Sequence, residues 1–166
     1  MTGALDLPGI DEAHLRALAT RLAHALGDGG VIYLEGDLGA GKTTFARALL
    51  QALGVGERIK SPTYSLVESY RVATLDIHHL DLYRIGDAGE LEWLGLADLA
   101  DGPTLMLVEW PERGAGALPA ADLRARLQHA GEVRDLNLTS LTARGERWLG
   151  VIGAGCAAPG DQYVQH

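Results

Sequence analysis

The chain has 166 residues, enough for one domain with a sizeable hydrophobic core. Its content of 47% hydrophobic and 22% charged residues excludes an intrinsically disordered chain. No apolar run approaches the length of a bilayer span and the N-terminal segment has no signal-peptide pattern, so we expect no association with a membrane. The single cysteine, Cys156, cannot form an internal disulfide and is typical of a reducing compartment, which predicts a cytoplasmic protein.

The net charge of −8 is concentrated in the middle of the chain. Residues 76–112 contain nine acidic side chains and one basic side chain, Arg84. A solvated acidic face is one interpretation of this segment, and a docking face for a basic partner is the other. Because the segment repels phosphodiester backbones and no Lys/Arg cluster compensates elsewhere, we expect the protein alone not to bind nucleic acid.

The first predicted elements are a helix, a strand and a second helix. Apolar residues recur at helical spacing from Asp11 to Leu26, with Asp11 as the N-cap and Gly27 at the end. The short apolar run Val31–Leu34 predicts a buried strand. Residues Thr44–Leu53 predict a helix that ends at Gly54.

A glycine-rich loop joins this strand to the second helix. Its sequence satisfies G-x-x-x-x-G-K-S/T: Gly36-Asp37-Leu38-Gly39-Ala40-Gly41-Lys42-Thr43. Backbone N–H groups and the positive end of a helix converge there, which predicts binding of a nucleoside triphosphate; an ordinary glycine turn is the alternative. We expect contacts to the nucleotide from Asp37, Leu38, Gly39, Ala40, Gly41, Lys42, Thr43 and Thr44. Lys42 is expected to reach the β- and γ-phosphates, and the hydroxyl of Thr43 is expected to bind Mg²⁺.

The second half of the chain predicts two antiparallel strand pairs around a central strand. The first pair is Ser65–Val72 with Thr74–Leu82, which are too close in sequence for a parallel crossover and are therefore predicted to pair antiparallel. The second predicted antiparallel pair is Leu123–Gln128 with Glu132–Leu141. The apolar run Thr104–Glu109 predicts a strand covered on both faces. We also predict helices over Asp87–Leu96 and Thr142–Leu149. The resulting expectation is one P-loop domain over residues 1–152, followed by a flexible tail over residues 153–166.

Two acidic residues are candidates for the chemistry. Glu109 ends an apolar strand, the position of a Mg²⁺-managing carboxylate in P-loop proteins. Asp81 could bind Mg²⁺ or orient an attacking water, and a structural ion pair with Arg84 or Arg71 is the alternative. His79 is expected to be a hydrogen-bonded partner of Asp81, because the two share a strand face.

Four further motifs follow the glycine-rich loop: Ser61-Pro62-Thr63-Tyr64-Ser65-Leu66-Val67-Glu68, His79-Leu80-Asp81-Leu82-Tyr83-Arg84, Glu90-Leu91 with Leu94-Gly95, and Leu107-Val108-Glu109-Trp110-Pro111-Glu112. In this order and spacing, the loop and these motifs resemble the bacterial TsaE family, the ATPases of tRNA threonylcarbamoyladenosine biosynthesis. Together they cover residues 10 to 150 approximately; residues after Val151 match no pattern of the family.

The resemblance implies a P-loop NTPase-like α/β fold in three layers, with a mixed sheet that has a parallel core and antiparallel hairpins. It implies ATP or ADP as the nucleotide, Mg²⁺ ligation by Thr43 and Glu109, and a catalytic or metal-linked role for Asp81. It also implies a sensor role for Thr63 and a place beside the nucleotide for Trp110. The implied partners are the TsaB and TsaD proteins, and we expect no direct binding of tRNA without them.

Other functions compete with a partner-activated ATPase. A small-molecule kinase of the shikimate- or adenylate-kinase type has a similar length and P-loop, but it needs crossover helices and an arginine-bearing lid. In place of such a lid, the loop after the strand ending at Glu109 contains only Arg113. A GTP switch lacks support because the chain has no N-K-x-D motif. A non-catalytic nucleotide-binding assembly factor remains an alternative.

Overall fold

The structure, a computed structural model, describes residues 3–56, 59, 66–86, 89 and 103–156. Within these residues the chain forms, in order, β1 Ala4–Ile10, α1 Glu12–Ala23, β2 Gly30–Glu35, α2 Lys42–Leu53, β3 Val67–Val72, β4 Leu75–Asp81, β5 Thr104–Glu109, β6 Leu123–Ala130, β7 Val133–Ser140 and α3 Ala143–Cys156. Apart from Gly89, the predicted helix over Asp87–Leu96 lies outside the described residues, as does the segment that contains Thr63. Across the described part of the chain, no helix is both long enough and apolar enough to cross a bilayer.

All strands belong to one seven-stranded mixed sheet of order β1-β7-β6-β2-β5-β4-β3. The central pairs β6–β2, β2–β5 and β5–β4 are parallel, and the outer pairs β3–β4, β6–β7 and β1–β7 are antiparallel. The predicted parallel core with antiparallel hairpins is therefore confirmed. Because parallel strands end at the same edge, the glycine-rich loop after β2 lies beside the ends of β4 and β5.

The two faces of the sheet carry different cores. The larger hydrophobic cluster joins one face to the apolar sides of all three described helices, with Phe45 of α2 and Trp148 of α3 fully or almost fully buried. The opposite face carries a smaller cluster of Leu80, Leu82, Ile85, Met106 and Val108. Every residue of β5 is buried, as its continuous apolar sequence predicts for a strand covered on both faces.

The first two helices begin at their N-caps, but α1 ends at Ala23 with His24 as its C-cap, before the predicted end at Leu26 and Gly27. Asp11 is the N-cap of α1, as predicted, and its carboxylate accepts a hydrogen bond of 2.8 Å from the N–H of His14. The helix α2 ends at Gly54, whose φ of 103° favours glycine. It begins at Lys42, two residues before the predicted start, so Lys42 and Thr43 lie in its first turn.

The structure adds an edge strand and lengthens the last helix. Strand β1 was not predicted; it pairs antiparallel with β7, and Ile10 is its only buried residue. Its Pro8 and Gly9 are typical of an edge strand. The final helix continues to Cys156, beyond the predicted end at Leu149, because Ile152 is buried in the main core. The flexible tail over residues 153–166 stays a prediction, and residues 157–166 lie outside the described part.

Candidate functional site

The glycine-rich loop wraps around the start of α2 in a conformation that suits glycine. Gly39 and Gly41 have φ values of 78° and 114°, a region that residues with a Cβ rarely adopt. Gly41 is the N-cap of α2 and contributes no side-chain cap, so the N–H groups of the first turn are not occupied by a capping side chain. These N–H groups and the positive end of the helix dipole create a local environment that favours an anion.

Lys42 is held inside this loop. It is 4% exposed, and its Nζ donates hydrogen bonds to the carbonyl oxygens of Gly36 and Asp37, the latter at 2.9 Å. The same Nζ lies 4.1 Å from the centre of the Trp110 ring, a cation–π contact. Burial lowers the pKa of Lys42, and the nearby Glu109 carboxylate acts in the opposite direction. The ammonium group is therefore positioned by protein contacts before any phosphate arrives.

A hydrogen-bonded chain runs from α2 across β5 to β4. The Thr43 hydroxyl donates to Oε1 of Glu109 at 2.7 Å, and Oε2 of Glu109 lies 2.6 Å from Nε2 of His79. Glu109 is 2% exposed and His79 is fully buried. Because an ionised carboxylate only accepts hydrogen bonds, Nε2 of His79 carries the proton in this pair. The expectation that His79 partners Asp81 was wrong: the imidazole reaches across to the neighbouring strand.

Asp81 ends β4 directly beside Glu109, its partner in the parallel register. Its Oδ1 accepts a hydrogen bond of 3.1 Å from the N–H of Tyr83. Burial raises the pKa of Asp81, the Tyr83 N–H opposes this shift, and the negative charge of Glu109 reinforces it. Among the described residues Asp81 forms an ion pair with neither Arg71 nor Arg84, and Nη1 of Arg71 lies 3.3 Å from Oδ1 of Asp76.

An aromatic wall closes one side of the site. Trp110 follows Glu109 with φ 60° and ψ 50°, a left-handed conformation uncommon for a non-glycine residue. Its ring lies 4.9 Å from that of Tyr83, and the guanidinium carbon of Arg113 is 5.1 Å from the Tyr83 ring centre. This backbone conformation keeps the indole over Lys42, where it shields the ammonium group.

These elements surround a cavity of about 700 Å³. Its lining includes nine of the predicted site residues: Leu38, Gly39, Gly41, Lys42, Thr43, Thr44, Asp81, Glu109 and Trp110. Ala40 is buried beneath the loop, and Asp37 contributes the carbonyl oxygen that binds Lys42. The predicted sensor Thr63 lies outside the described residues.

The cavity also contains residues that the sequence did not assign to the site. Leu66, Tyr83 and Arg84 follow or flank predicted motifs, so their positions could have been anticipated from the quoted segments. Arg134 comes from β7, and no motif indicated its place beside the glycine-rich loop.

The oxygen atoms of Thr43 and Glu109 fit a magnesium ion. Within residues 3–56, 66–86 and 103–156, no group of three His, Cys, Asp or Glu side chains could hold a metal by itself. Mg²⁺ prefers hard oxygen ligands and commonly uses one or two protein oxygens together with water and substrate phosphates. A hydroxyl and a carboxylate oxygen 2.7 Å apart beside a phosphate-binding loop provide such a donor set.

Comparison with known proteins identifies the family. Residues 10–136 match the family model described as threonylcarbamoyl adenosine biosynthesis protein TsaE. The chain belongs to the TsaE family. A TsaE protein of Haemophilus influenzae is 44% identical over 116 residues, which are 70% of this chain and 73% of the relative. The TsaE protein of Bacillus subtilis is 35% identical over 139 residues, 84% of this chain and 85% of the relative.

A solved structure agrees with this assignment to the TsaE family. The crystal structure of Bacillus subtilis YdiB matches with a TM-score of 0.76 at 29% sequence identity. The match covers 93% of this chain and 97% of YdiB. Both the fold and the family suggested by the sequence motifs are therefore confirmed, and the chain has the TsaE-family role in tRNA threonylcarbamoyladenosine biosynthesis.

Proposed function

We propose that this TsaE-family protein binds and hydrolyses ATP with Mg²⁺ in the cavity beside the glycine-rich loop. Hydrolysis would support threonylcarbamoyl transfer to the tRNA adenosine beside the anticodon, in the cytoplasm and together with TsaB and TsaD. The observation that carries the proposal is the convergence of Lys42, Thr43 and Glu109 at the uncapped N-terminus of α2.

Phosphate binding follows from charge and backbone direction. Lys42 would exchange its contacts with the carbonyl oxygens of Gly36 and Asp37 for the β- and γ-phosphates, which are stronger acceptors. The N–H groups at the start of α2 would bind the remaining phosphate oxygens. Trp110 limits access of water to Lys42, which strengthens the electrostatic contacts in the cavity.

The two acidic residues have different proposed roles, one at the metal ion and one at the attacking water. Thr43 and Glu109 would hold Mg²⁺, which neutralises charge on the phosphate oxygens when bound. His79 keeps Glu109 in one rotamer through its hydrogen bond to Oε2. Asp81 is half-buried with a raised pKa, so its carboxylate is suited to orient the attacking water and accept a proton from it.

The surrounding architecture favours hydrolysis over phosphorylation of a small molecule. After α2 the chain forms the antiparallel hairpin β3–β4, where small-molecule kinases continue with crossover helices. The segment after Trp110 forms a single short turn, Pro111–Gly114, with Arg113 packed against aromatic rings. Arg113 is thus engaged in packing, and this segment offers no second cation for an acceptor.

Binding and hydrolysis are tested by comparing Lys42→Ala with Arg47→Ala, which removes an exposed cation from the same helix. Loss of a charge-assisted phosphate contact costs about 1.5–3 kcal/mol, so Lys42→Ala is expected to bind ATP–Mg²⁺ about tenfold or more weakly. Arg47→Ala should bind like the wild type. Titration calorimetry measures both affinities, and equal affinity of Lys42→Ala and wild type would reject the proposed phosphate site.

The division between binding and catalysis is tested with Glu109→Ala. Because Glu109 is assigned to Mg²⁺ and the reacting γ-phosphate, this change should lower phosphate release more than it lowers ATP affinity. The free energy of unfolding is measured in parallel to confirm folding. Normal phosphate release by a folded Glu109→Ala protein would reject the role assigned to Glu109. Absence of phosphate release by the wild type would favour the alternative of a non-catalytic assembly factor.

A further inference from the structure

The hairpin formed by β6 and β7 packs directly over the glycine-rich loop. A Cβ atom at Gly36 would collide with the carbonyl oxygen of Leu127, and one at Gly41 would collide with the guanidinium group of Arg134. At Gly39 a Cβ atom would lie 3.4 Å from Nε2 of His129. Glycine is therefore favoured at these positions for two reasons. The positive φ angles suit glycine, and the absence of a side chain leaves space for the hairpin.

Arg134 is half-buried at this contact and lines the same cavity as Lys42 and Thr43. Within the described residues its guanidinium group has no ion pair and no hydrogen bond. Two neighbouring arginines of β6 are different, because Arg124 and Arg126 both pair with Glu35, at 3.1 and 3.0 Å. A partly desolvated guanidinium group with no anionic partner has five donors available for a ligand.

The sheet order shows from which side Arg134 approaches the nucleotide site. β2 lies between β5 and β6, so Glu109 at the end of β5 and the β6–β7 hairpin lie on opposite sides of the glycine-rich loop. Thr43 and Glu109 mark the side on which the metal and the γ-phosphate are expected. A phosphate chain that begins on the Glu109 side and crosses the loop would therefore bring its nucleoside-proximal end towards Arg134.

We propose that Arg134 is a nucleotide-binding residue that contacts the nucleoside-proximal phosphate, the α-phosphate, of ATP and ADP. The planar guanidinium group can donate two parallel hydrogen bonds to one phosphate group, which gives both affinity and orientation. This inference rests on the proposed function, because it assigns one more residue to the same nucleotide. It makes Arg134 a binding residue, distinct from a cation that stabilises the γ-phosphate in the transition state.

The test measures ATP and ADP affinity by titration calorimetry, and phosphate release at saturating ATP, for wild type, Arg134→Ala and Arg134→Lys. Arg144→Ala is the matched control, since Arg144 lies on α3 near Asp122, at the end of the sheet away from the loop. Arg134→Ala should bind ATP and ADP about tenfold or more weakly, by similar factors, with kcat nearly unchanged. Arg134→Lys should recover part of the affinity, and Arg144→Ala should match the wild type.

Each other result overturns the assignment. Unchanged affinity of Arg134→Ala for both nucleotides shows that Arg134 makes no phosphate contact. A loss confined to kcat, or a loss for ATP without a loss for ADP, places the guanidinium group at the γ-phosphate. Thermal melting without nucleotide shows whether Arg134→Ala has a folding defect. In that case Arg134→Lys decides whether Arg134 contacts a phosphate, because it keeps the charge and loses the paired donors, and unchanged affinity of this variant rejects the contact. Absence of nucleotide binding by the wild type rejects the proposed function as well.

Discussion

Glu109 illustrates how single residues are fixed in this site. Its two carboxylate oxygens are bound from opposite directions, by the Thr43 hydroxyl on one side and by the buried His79 imidazole on the other. A carboxylate held in this way loses little further conformational freedom when it binds a metal ion. His79 is thus a positioning residue for the proposed magnesium site.

Replacement of His79 tests this positioning role. His79→Met removes the hydrogen bond to a buried carboxylate, so we expect the free energy of unfolding to fall by about 1.5–3 kcal/mol in urea titrations. We also expect a higher Mg²⁺ concentration for half-maximal phosphate release, because Glu109 is no longer held in one rotamer. His79→Gln, which can retain a donor near Nε2, is the control. An unchanged Mg²⁺ dependence in His79→Met would contradict the role.

We expect the ionised carboxylate of Asp81 to lower the stability of the folded protein while it supports the activity. Its raised pKa means that the folded protein disfavours the charged carboxylate, so ionisation of Asp81 lowers stability. This cost is absent below the pKa of the unfolded chain and develops as the pH rises through the higher folded pKa. Asp81→Asn should therefore melt at a higher temperature than wild type at neutral pH, with the difference shrinking in acid, and should release phosphate more slowly. A lower melting temperature at neutral pH would contradict this account.

Site residues could be predicted from the sequence where a short local pattern identifies them. The proposed roles of Lys42 and Thr43 come from the spacing within one loop, and that of Glu109 comes from its place at the end of an apolar strand. The partner of His79 was predicted incorrectly because strand alternation gives the face of a side chain but not which neighbour it reaches. Arg134 could not be predicted, since only the packing of β6 and β7 beside β2 brings it to the loop.

Among the elements, α3 depends most clearly on close packing. At Gly145 in its first turn, a Cβ atom would collide with the backbone oxygen of Asp122. The hydroxyl of Thr142 donates to Oδ1 of Asp122 at 2.7 Å and accepts from the Gly145 N–H at 3.1 Å. The start of α3 is therefore tied to the residue that precedes β6.

Two glycines of the same helix give a matched test. Gly145→Ala should lower the free energy of unfolding by about 1–3 kcal/mol, because the backbone must move to admit the methyl group. Gly150 has open space around its Cβ position, so Gly150→Ala should raise stability by about 0.5–1 kcal/mol through its helix propensity. Urea unfolding measures both. Equal effects of the two changes would show that the contact with Asp122 does not constrain α3.

Element predictions succeeded where one local pattern was sufficient. All six residues of β5 are buried, and its four central residues are apolar. Strands β6 and β7 are joined by a tight turn at Gly131. Strand β1 contains Pro8 and Gly9 and is ordered by pairing with a strand distant in sequence, so its own pattern was too weak. The end of α3 was missed because tertiary burial of Ile152 outweighs the low helix propensity of nearby glycines.

At the scale of the whole molecule, we expect the ATPase activity to depend on other proteins, because of the charge around the site. Residues 76–112 combine a strong negative charge with both proposed catalytic acids. A net charge of this sign favours a basic protein partner over an RNA backbone. Efficient P-loop hydrolases also place a cation at the γ-phosphate, often an arginine from a partner. Arg113 is packed on aromatic rings, and we assign Arg134 to the α-phosphate and no arginine of this chain to the γ-phosphate, so we expect a slow ATPase alone.

The most direct measurement is phosphate release by the protein alone, with tRNA alone, and with TsaB plus TsaD, using Lys42→Ala as the inactive control. Formation of threonylcarbamoyladenosine is measured in the same complete mixture. We predict slow release alone, no stimulation by tRNA, clear stimulation by the two proteins, and modification that requires Lys42. Stimulation by tRNA alone, no response to TsaB and TsaD, or full modification with Lys42→Ala would contradict the account.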